Sequence, residues 1–297
     1  MVLDYINFVY KDLEKQNFPK STLYVLGMPI GNFGDITVRG IKILLLADQI
    51  ACEDTRKTGI YLSRLGVKKK LKSVHKFNER KVVSEIMSEL KIGKRIVLVS
   101  DAGTPGIADP GVKIVDSVID AGYKVIPIPG VSAATAAISV SGLFSDRFLF
   151  LGFLPSKILH RDKTLKEASS LETTIIFFES PHRIIGTLKS LDNFFESDQR
   201  IVISREISKK FEEIYRNKVS EISKWINEDS YRQKGEFVII IEANLKAEKK
   251  DRFEIKNLIQ ILLEECSVKQ ATSIASKLTG KKKKEIYNIA LNLQQNK

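Results

Sequence analysis

The sequence predicts an α/β protein with a parallel doubly wound sheet, a second mixed-sheet α/β domain and a small C-terminal helical module. Three observations carry this expectation. Residues 22–141 alternate short apolar runs with helical patterns, the rhythm of parallel strands joined by crossover helices. Beyond 148 the rhythm changes: strands at 200–205 and 211–218 follow too closely for a crossover, so they form an antiparallel hairpin in a mixed sheet. The last 52 residues, from Lys246, read as helices and hold twelve Lys/Arg against six Asp/Glu. The expected domains are 20–142, 147–244 and 250–297, and Gly142-Leu143-Phe144-Ser145-Asp146-Arg147 breaks the first from the second.

The elements follow in order. Thr22 to Leu26 is the first strand, and Gly27-Met28-Pro29-Ile30-Gly31-Asn32-Phe33-Gly34 is a loop that ends at Asp35, the expected cap of a helix over 36–47. Further strands are expected at 49–53, 72–75, 95–100 and 123–128, with helices at 55–65, 78–91, 110–121 and 132–141. Arg95-Ile96-Val97-Leu98-Val99 reads as a buried parallel strand. After it comes Ser100-Asp101-Ala102-Gly103-Thr104-Pro105-Gly106-Ile107-Ala108-Asp109-Pro110-Gly111, with Asp109 as the expected N-cap and Pro110 at the first helical position. Pro127 to Gly130 forms a third loop; Ser132 is the expected cap of the next helix, whose alanines let it pack close to the sheet. In the second domain strands are expected at 148–152, 174–178, 200–205, 211–218 and 236–242, and helices at 161–170, 182–195 and 220–228, with Ser180 as the expected cap of the second. The tail holds helices at 253–265, 268–278 and 282–293, and Gly280 stops the middle one.

The three glycine/proline loops each join a strand to a helix. An open α/β sheet binds ligands in that position, beyond the carboxyl ends of its strands. The first loop lacks the spacing of the dinucleotide fingerprint and the Gly-Lys-Ser/Thr of a phosphate-binding loop. Together the three loops predict one shared ligand site.

Composition narrows the class. Of 297 residues, 43% are hydrophobic, which is ordinary for a globular chain. No apolar run approaches the roughly 18 residues that span a membrane. Asp4, Asp12 and Glu14 interrupt the N-terminus, so no signal peptide is expected. Cys52 and Cys266 form no CxxC, and His75, His160 and His182 lack metal-ligand spacing. A reducing, cytoplasmic location and no metal are the expectations. The net charge is +12, half of it in the tail. Such a tail fits a polyanion such as nucleic acid; lysines kept for solubility are the competing explanation.

Several motifs then converge. They are Pro29-Ile30-Gly31-Asn32 with Asp35-Ile36-Thr37, Glu53-Asp54-Thr55-Arg56, Ser100 to Gly111, and Gly142-Leu143 with Ser145-Asp146-Arg147-Phe148. Further on stand Gly152-Phe153-Leu154-Pro155, Phe178-Glu179-Ser180-Pro181-His182-Arg183, Arg205-Glu206 and Lys234-Gly235-Glu236. Over roughly residues 20–292 the chain resembles the tetrapyrrole methylase superfamily of S-adenosylmethionine-dependent methyltransferases, and within it the branch that methylates ribosomal RNA. Met28 departs from the threonine usual there. The resemblance implies a two-domain tetrapyrrole methylase-like fold with the cofactor, S-adenosyl-L-methionine, in the cleft between domains. It also implies a homodimer and 2'-O-methylation of a cytidine in the decoding centre of 16S rRNA, within the small ribosomal subunit.

Carried onto this chain, the superfamily's cofactor contacts fall at Pro29, at Ala102, Gly103 and Thr104, and at Ser132 and Ala133. Glycine and alanine let the main chain approach a ligand. Asp101 either lies near the sulfonium or supports its loop. A ribose hydroxyl needs a base or a charge that stabilises the forming alkoxide. The candidates are Glu53, Asp54, Arg56, Glu179, His182, Arg183, Arg205 and Glu206, and each has a salt bridge or helix cap as its competing explanation. The catalytic assignment rests first on Glu179 with Arg183, then on Glu53 and Asp54. Two other readings remain: a C-methyltransferase acting on a corrin precursor, and a non-catalytic RNA-binding assembly factor.

Overall fold

The computed structural model describes residue 11 and residues 13–75, 78–143, 146–243 and 247–295. Residues 1–10 of the N-terminal segment, Phe144 and Ser145 of the expected break, and 244–246, where the second domain is expected to end, lie outside the described residues.

The first sheet contains β1 (Thr22–Leu26), β2 (Gln49–Cys52), β3 (Lys70–Ser73), β4 (Arg95–Val99) and β5 (Lys124–Ile128), in the order β3-β2-β4-β1-β5. All pairings are parallel. Side chains alternate along each strand, so each face has its own core. Tyr24, Leu26, Cys52 and Val97 pack under helices Val38–Leu46 and Thr55–Arg64 with Ile43, Leu44 and Leu62. Leu23, Ala51, Ile96 and Leu98 face the other way, against Ile86, Leu90, Ile114 and Val118 of helices Glu79–Lys91 and Val112–Asp120. The predicted doubly wound sheet is therefore present. Pro127 is tolerated because β5 lies at an edge.

The second sheet contains β6 (Phe148–Phe153), β7 (Thr174–Glu179), β8 (Arg200–Arg205), β9 (Glu213–Lys218) and β10 (Phe237–Ile241), in the order β6-β7-β10-β8-β9. β6 and β7 run parallel and the other neighbours antiparallel, including the β8–β9 hairpin. Helices Ile158–Ser169, Ile184–Phe194 and Val219–Glu228 cover one face through Leu165, Leu188, Leu191 and Trp225. The opposite face meets the first domain: Ile176, Val202, Val238 and Ile240 pack against Ala134 and Ala137 of helix Ala133–Ser139. The alanines thus bring their helix against the second sheet. Arg216 completes the joint by donating to the carbonyls of Ser141, at 2.8 Å, and Val140.

The tail forms helices Ala247–Glu265, Val268–Thr279 and Lys283–Gln295 around Ile255, Ile259, Ala275, Ile286 and Ala290. Ser267 and Gln270 close a capping box, and Gly280 ends the middle helix at φ +69°.

Three expected caps are corrected. Helix Val112–Asp120 starts beyond Asp109 and Pro110; Gly111 is its N-cap, at φ +132°. The loop runs on because only glycine makes that turn readily, which leaves Asp109 on a cavity wall. Thr37, not Asp35, caps helix Val38–Leu46 by accepting from Gly40 N at 3.0 Å; Asp35 ends a short 3-10 turn capped by Asn32. Helix Ile184–Phe194 has Arg183 at its N-cap without a side-chain bond, and the Ser180 carbonyl accepts from the Arg183 and Ile184 amides. The Ser180 hydroxyl is directed to Glu179 instead.

Candidate active site

The strand order explains why three loops make one site. β4, β1 and β5 are neighbours, with Leu26 opposite Val99 on one side and Ile128 on the other, so their loops leave at one level. The loops are also bonded together. Met28 N donates to the Gly103 carbonyl at 2.7 Å and Gly103 N to the Met28 carbonyl at 3.0 Å, while Gly27 N donates to the Ile128 carbonyl at 3.1 Å. Gly27 and Gly130 pack so closely that a Cβ on Gly130 would lie 2.3 Å from the Gly27 carbonyl oxygen.

Above these loops lies a cavity of about 390 Å³ with walls from both domains. The first domain supplies Ile30, Asp101, Ala102, Gly103, Thr104, Ile107, Ala108, Asp109, Ser132 and Ala133; the second supplies Phe153, Phe178, Glu179, Ser180, Pro181, Ile207, Glu236, Phe237 and Val238. Among the residues singled out from the sequence, Asp101 to Thr104, Ser132, Ala133 and Glu179 meet here. Pro29 is not in the wall, although it lies between bridged Met28 and lining Ile30. Glu53, Asp54 and Arg183 also stand outside the lining.

The polar groups have distinct partners. Asp101 accepts from the Asp54 amide at 3.0 Å and from Lys57 Nζ at 2.8 Å. Its carboxylate therefore supports the loop and ties it to the end of β2. Asp54 caps helix Thr55–Arg64 and binds Arg56, which holds its carboxyl well below the usual range. Burial and then the Asp101 charge push the Glu53 carboxyl up. Asp109 is pushed up to about 6 by burial and by the charges of Glu53 and Asp101, against a hydrogen bond from Ser100. Glu179 is buried and fully engaged. Oε1 accepts from the Ser180 amide at 2.7 Å, and Oε2 from Thr187 Oγ1 at 2.6 Å and an Arg183 terminal nitrogen at 3.3 Å. The same Arg183 nitrogen donates to the Leu154 carbonyl at 2.6 Å.

The remaining candidates sit apart. His182 is exposed and outside the lining. Arg205 holds Glu213 and the carbonyls of Tyr231 and Lys234. Glu206 binds Lys209 and the Glu236 amide. Lys209 in turn meets Gly31, and Ser208 Oγ accepts from Asn32 N at 2.9 Å, so the two domains also touch beside the cavity. Sequence reasoning missed this contact. It also missed Asp109 as a site acid, since Asp-Pro before a helix reads as a cap. Phe153 and Phe178, each within a sequence motif, add aromatic surface to the cavity wall.

Residues 22–223 match the family of Tetrapyrrole (Corrin/Porphyrin) Methylases. The chain belongs to the tetrapyrrole methylase family. Residues 252–294 match the RsmI C-terminal HTH domain. The chain is 39% identical to the ribosomal RNA small subunit methyltransferase I of Haemophilus influenzae, over 91% of this chain and 96% of that protein. It is 42% identical to the protein of the same name in Buchnera aphidicola, over 91% and 95%. Among solved structures of the family, a cobalt precorrin-4 methyltransferase superposes with a TM-score of 0.56 at 18% identity, covering 75% of this chain and 95% of that one. A uroporphyrin-III C-methyltransferase from Thermus thermophilus gives 0.53 at 14%, covering 75% and 94%. At such identities the tetrapyrrole methylase neighbours establish the fold alone.

Proposed function

We propose that this chain is an S-adenosylmethionine-dependent methyltransferase that modifies the ribose 2'-hydroxyl of a cytidine in the decoding centre of 16S rRNA. The observation that carries the reading is the match, over nine-tenths of the chain, to relatives named for methylation of small-subunit ribosomal RNA. The cavity agrees with it. Ala102, Gly103, Ser132 and Ala133 leave main-chain groups open to a ligand. Phe153, Phe178, Ile30 and Val238 give an apolar surface that suits a purine ring. Asp101 puts a carboxylate beside it, which favours a cationic sulfonium. This residue set fits S-adenosylmethionine, which when bound supplies an electrophilic methyl group.

The chain's own residues then bind, position and exclude water. The Ala102–Thr104 and Ser132–Ala133 backbones hold the cofactor, with Pro29 shaping the loop behind them. Asp101, Lys57 and Asp54 brace that loop, with Glu53 beneath. The second domain closes the cavity, and the Glu179–Arg183 clamp fixes its wall. A site walled by two domains aligns acceptor and methyl donor, and such alignment supplies much of the acceleration in a displacement.

The basic tail fits a folded RNA partner in the small subunit. A shallow groove between its last two helices is lined by Lys269, Thr272, Ser273, Lys283, Lys284 and Tyr287. Exposed Phe148 and Leu149 on edge strand β6, with Ile158 and Leu159 beyond it, suit a homodimer contact. Among the described residues no helix is long and apolar enough to cross a membrane, in keeping with a cytoplasmic enzyme. The deciding assay is tritium transfer from labelled cofactor to small subunits, followed by digestion to nucleosides. Ribose-labelled cytidine is expected, and label on a base would overturn the reaction assignment.

A further inference from the structure

We propose that Asp109 is the catalytic residue that takes the proton from the acceptor ribose hydroxyl. The proposal rests on the ribose methyltransferase reading above and deepens it.

Placement is the first argument. Asp109 borders the cavity next to Ile107 and Ala108, and Phe153 lines the same cavity from the second domain. Ile107 and Phe153 are 51% and 52% exposed, so solvent reaches the cavity here, and a macromolecular acceptor can enter. Gly152 and Ala108 approach across the domains at the same place, where a Cβ on Gly152 would lie 3.9 Å from that of Ala108. Ala108 also holds φ +67°, a strained state for a non-glycine residue and one that recurs at active sites as well as in turns.

Availability is the second. The other carboxylates on the cavity wall are occupied. Glu179 accepts from Ser180, Thr187 and Arg183. Asp101 accepts from Asp54 and Lys57, and Glu236 meets Lys209 at 2.9 Å. The Ser100 hydroxyl, which donates to the Ala102 and Gly103 carbonyls, is the polar neighbour that lowers the Asp109 carboxyl, and among the described residues no cation pairs with it. Glu53, Asp101 and Asp109 do not form a cation site, for no group of three or more His, Cys, Asp or Glu among the described residues is placed to hold a metal ion.

Base strength is the third. The charged groups facing Asp109 are Glu53 at the end of β2 and Asp101 on its own loop. Lys57 is paired to Asp101. Burial and the two like charges lift Asp109 to about 6. It is therefore ionised at neutral pH yet more basic than an ordinary aspartate, as a general base should be. In the step, the hydroxyl proton passes to an Asp109 carboxylate oxygen while the ribose oxygen bonds the methyl carbon. The carbon–sulfur bond breaks, and its electron pair stays on sulfur as a neutral thioether.

The test compares wild type with Asp109→Asn. Calorimetry should give cofactor affinities within about threefold, which shows that the variant is folded and loaded. Single-turnover methyl transfer should fall by about 10² to 10⁴, the usual contribution of a positioned base. The wild-type rate should climb with pH through the Asp109 ionisation near 6, and the variant should lose that limb. Independently of turnover, the Asp109 carboxyl in carbon-13-labelled wild type should titrate near 6. Ribose labelling at the wild-type rate in the variant, survival of the pH limb in it, or titration in the ordinary aspartate range would each overturn the proposal while leaving the ribose reading intact. Base labelling by the wild type would remove both. If Asp109→Asn does not fold, the wild-type titration and pH profile still decide.

Discussion

Gly103 and Gly130 respond differently to an added side chain. Gly103 holds φ +69°, and a Cβ there would meet only Ile30, at 3.7 Å. Gly103→Ala therefore costs backbone strain of about 1–2 kcal/mol with no collision. A Cβ on Gly130 would strike the Gly27 carbonyl at 2.3 Å, so the first and third loops must part. Calorimetry should find cofactor binding weakened several-fold in Gly103→Ala and more severely in Gly130→Ala. Normal binding in Gly130→Ala would show that the loops' close approach is not what shapes the site. Glu179 poses a related question. Its oxygens are taken by Ser180, Thr187 and Arg183 inside the second domain, so we read it as a clamp. Removal of its charge should cost about 1.5–3 kcal/mol, the range for charged hydrogen bonds. Denaturant unfolding of Glu179→Gln should show that loss. Unchanged stability with abolished turnover would return Glu179 to the chemistry. The sequence put Glu179 and Arg183 forward as a pair because both stand in one motif just after a strand. It concealed Thr187 and the Leu154 carbonyl, which reach the pair only through tertiary packing.

At the scale of elements, the strands and helices were legible because their apolar periodicity survives in one dimension. Strand β4 and helix Glu79–Lys91 fall within a residue of expectation. Helix starts were less legible, since several polar residues near a boundary compete for one cap. Asp35, Thr37, Asp109 and Ser180 all qualify by type, and only the path of the chain selects Thr37 and rejects the others. Lys281 to Lys284 precede and open the last helix, an unfavourable place for cations because they oppose its dipole. The structure places Lys283 and Lys284 with Lys269 in one groove. Replacement of Lys281 to Lys284 by glutamine should flatten the salt dependence of RNA binding by up to about 0.7 per lost phosphate contact and leave cofactor affinity unchanged. An unaltered salt slope would make the run a solvated face.

For the whole molecule, the decisive relation is the one between the two sheets, and the sequence offered little on it. Ala-rich residues 133–137 announce close packing but not which surface they pack against. The structure shows that surface to be the second sheet, where Ala134 and Ala137 meet Ile176, Val202, Val238 and Ile240. Ser132 and Ala133 at the start of that helix and Val238 on that sheet also line the cavity, so the packing of the joint and the shape of the site are one problem. Ala137 is fully buried, and Ala137→Leu would add three carbons to an interface that has no room for them. Overpacking of this kind costs about 1–3 kcal/mol, and the least costly relief is for the helix to lift from the second sheet. That movement widens the cavity and separates Ala133 from Val238. Cofactor affinity should therefore fall at least tenfold in Ala137→Leu, while each domain keeps its own core and far-ultraviolet circular dichroism is unchanged. Thr135→Leu, on the exposed side of the same helix, should bind cofactor as the wild type does. Equal binding by both variants would mean that the cavity does not depend on how the second sheet docks, and that the first domain holds the cofactor by itself.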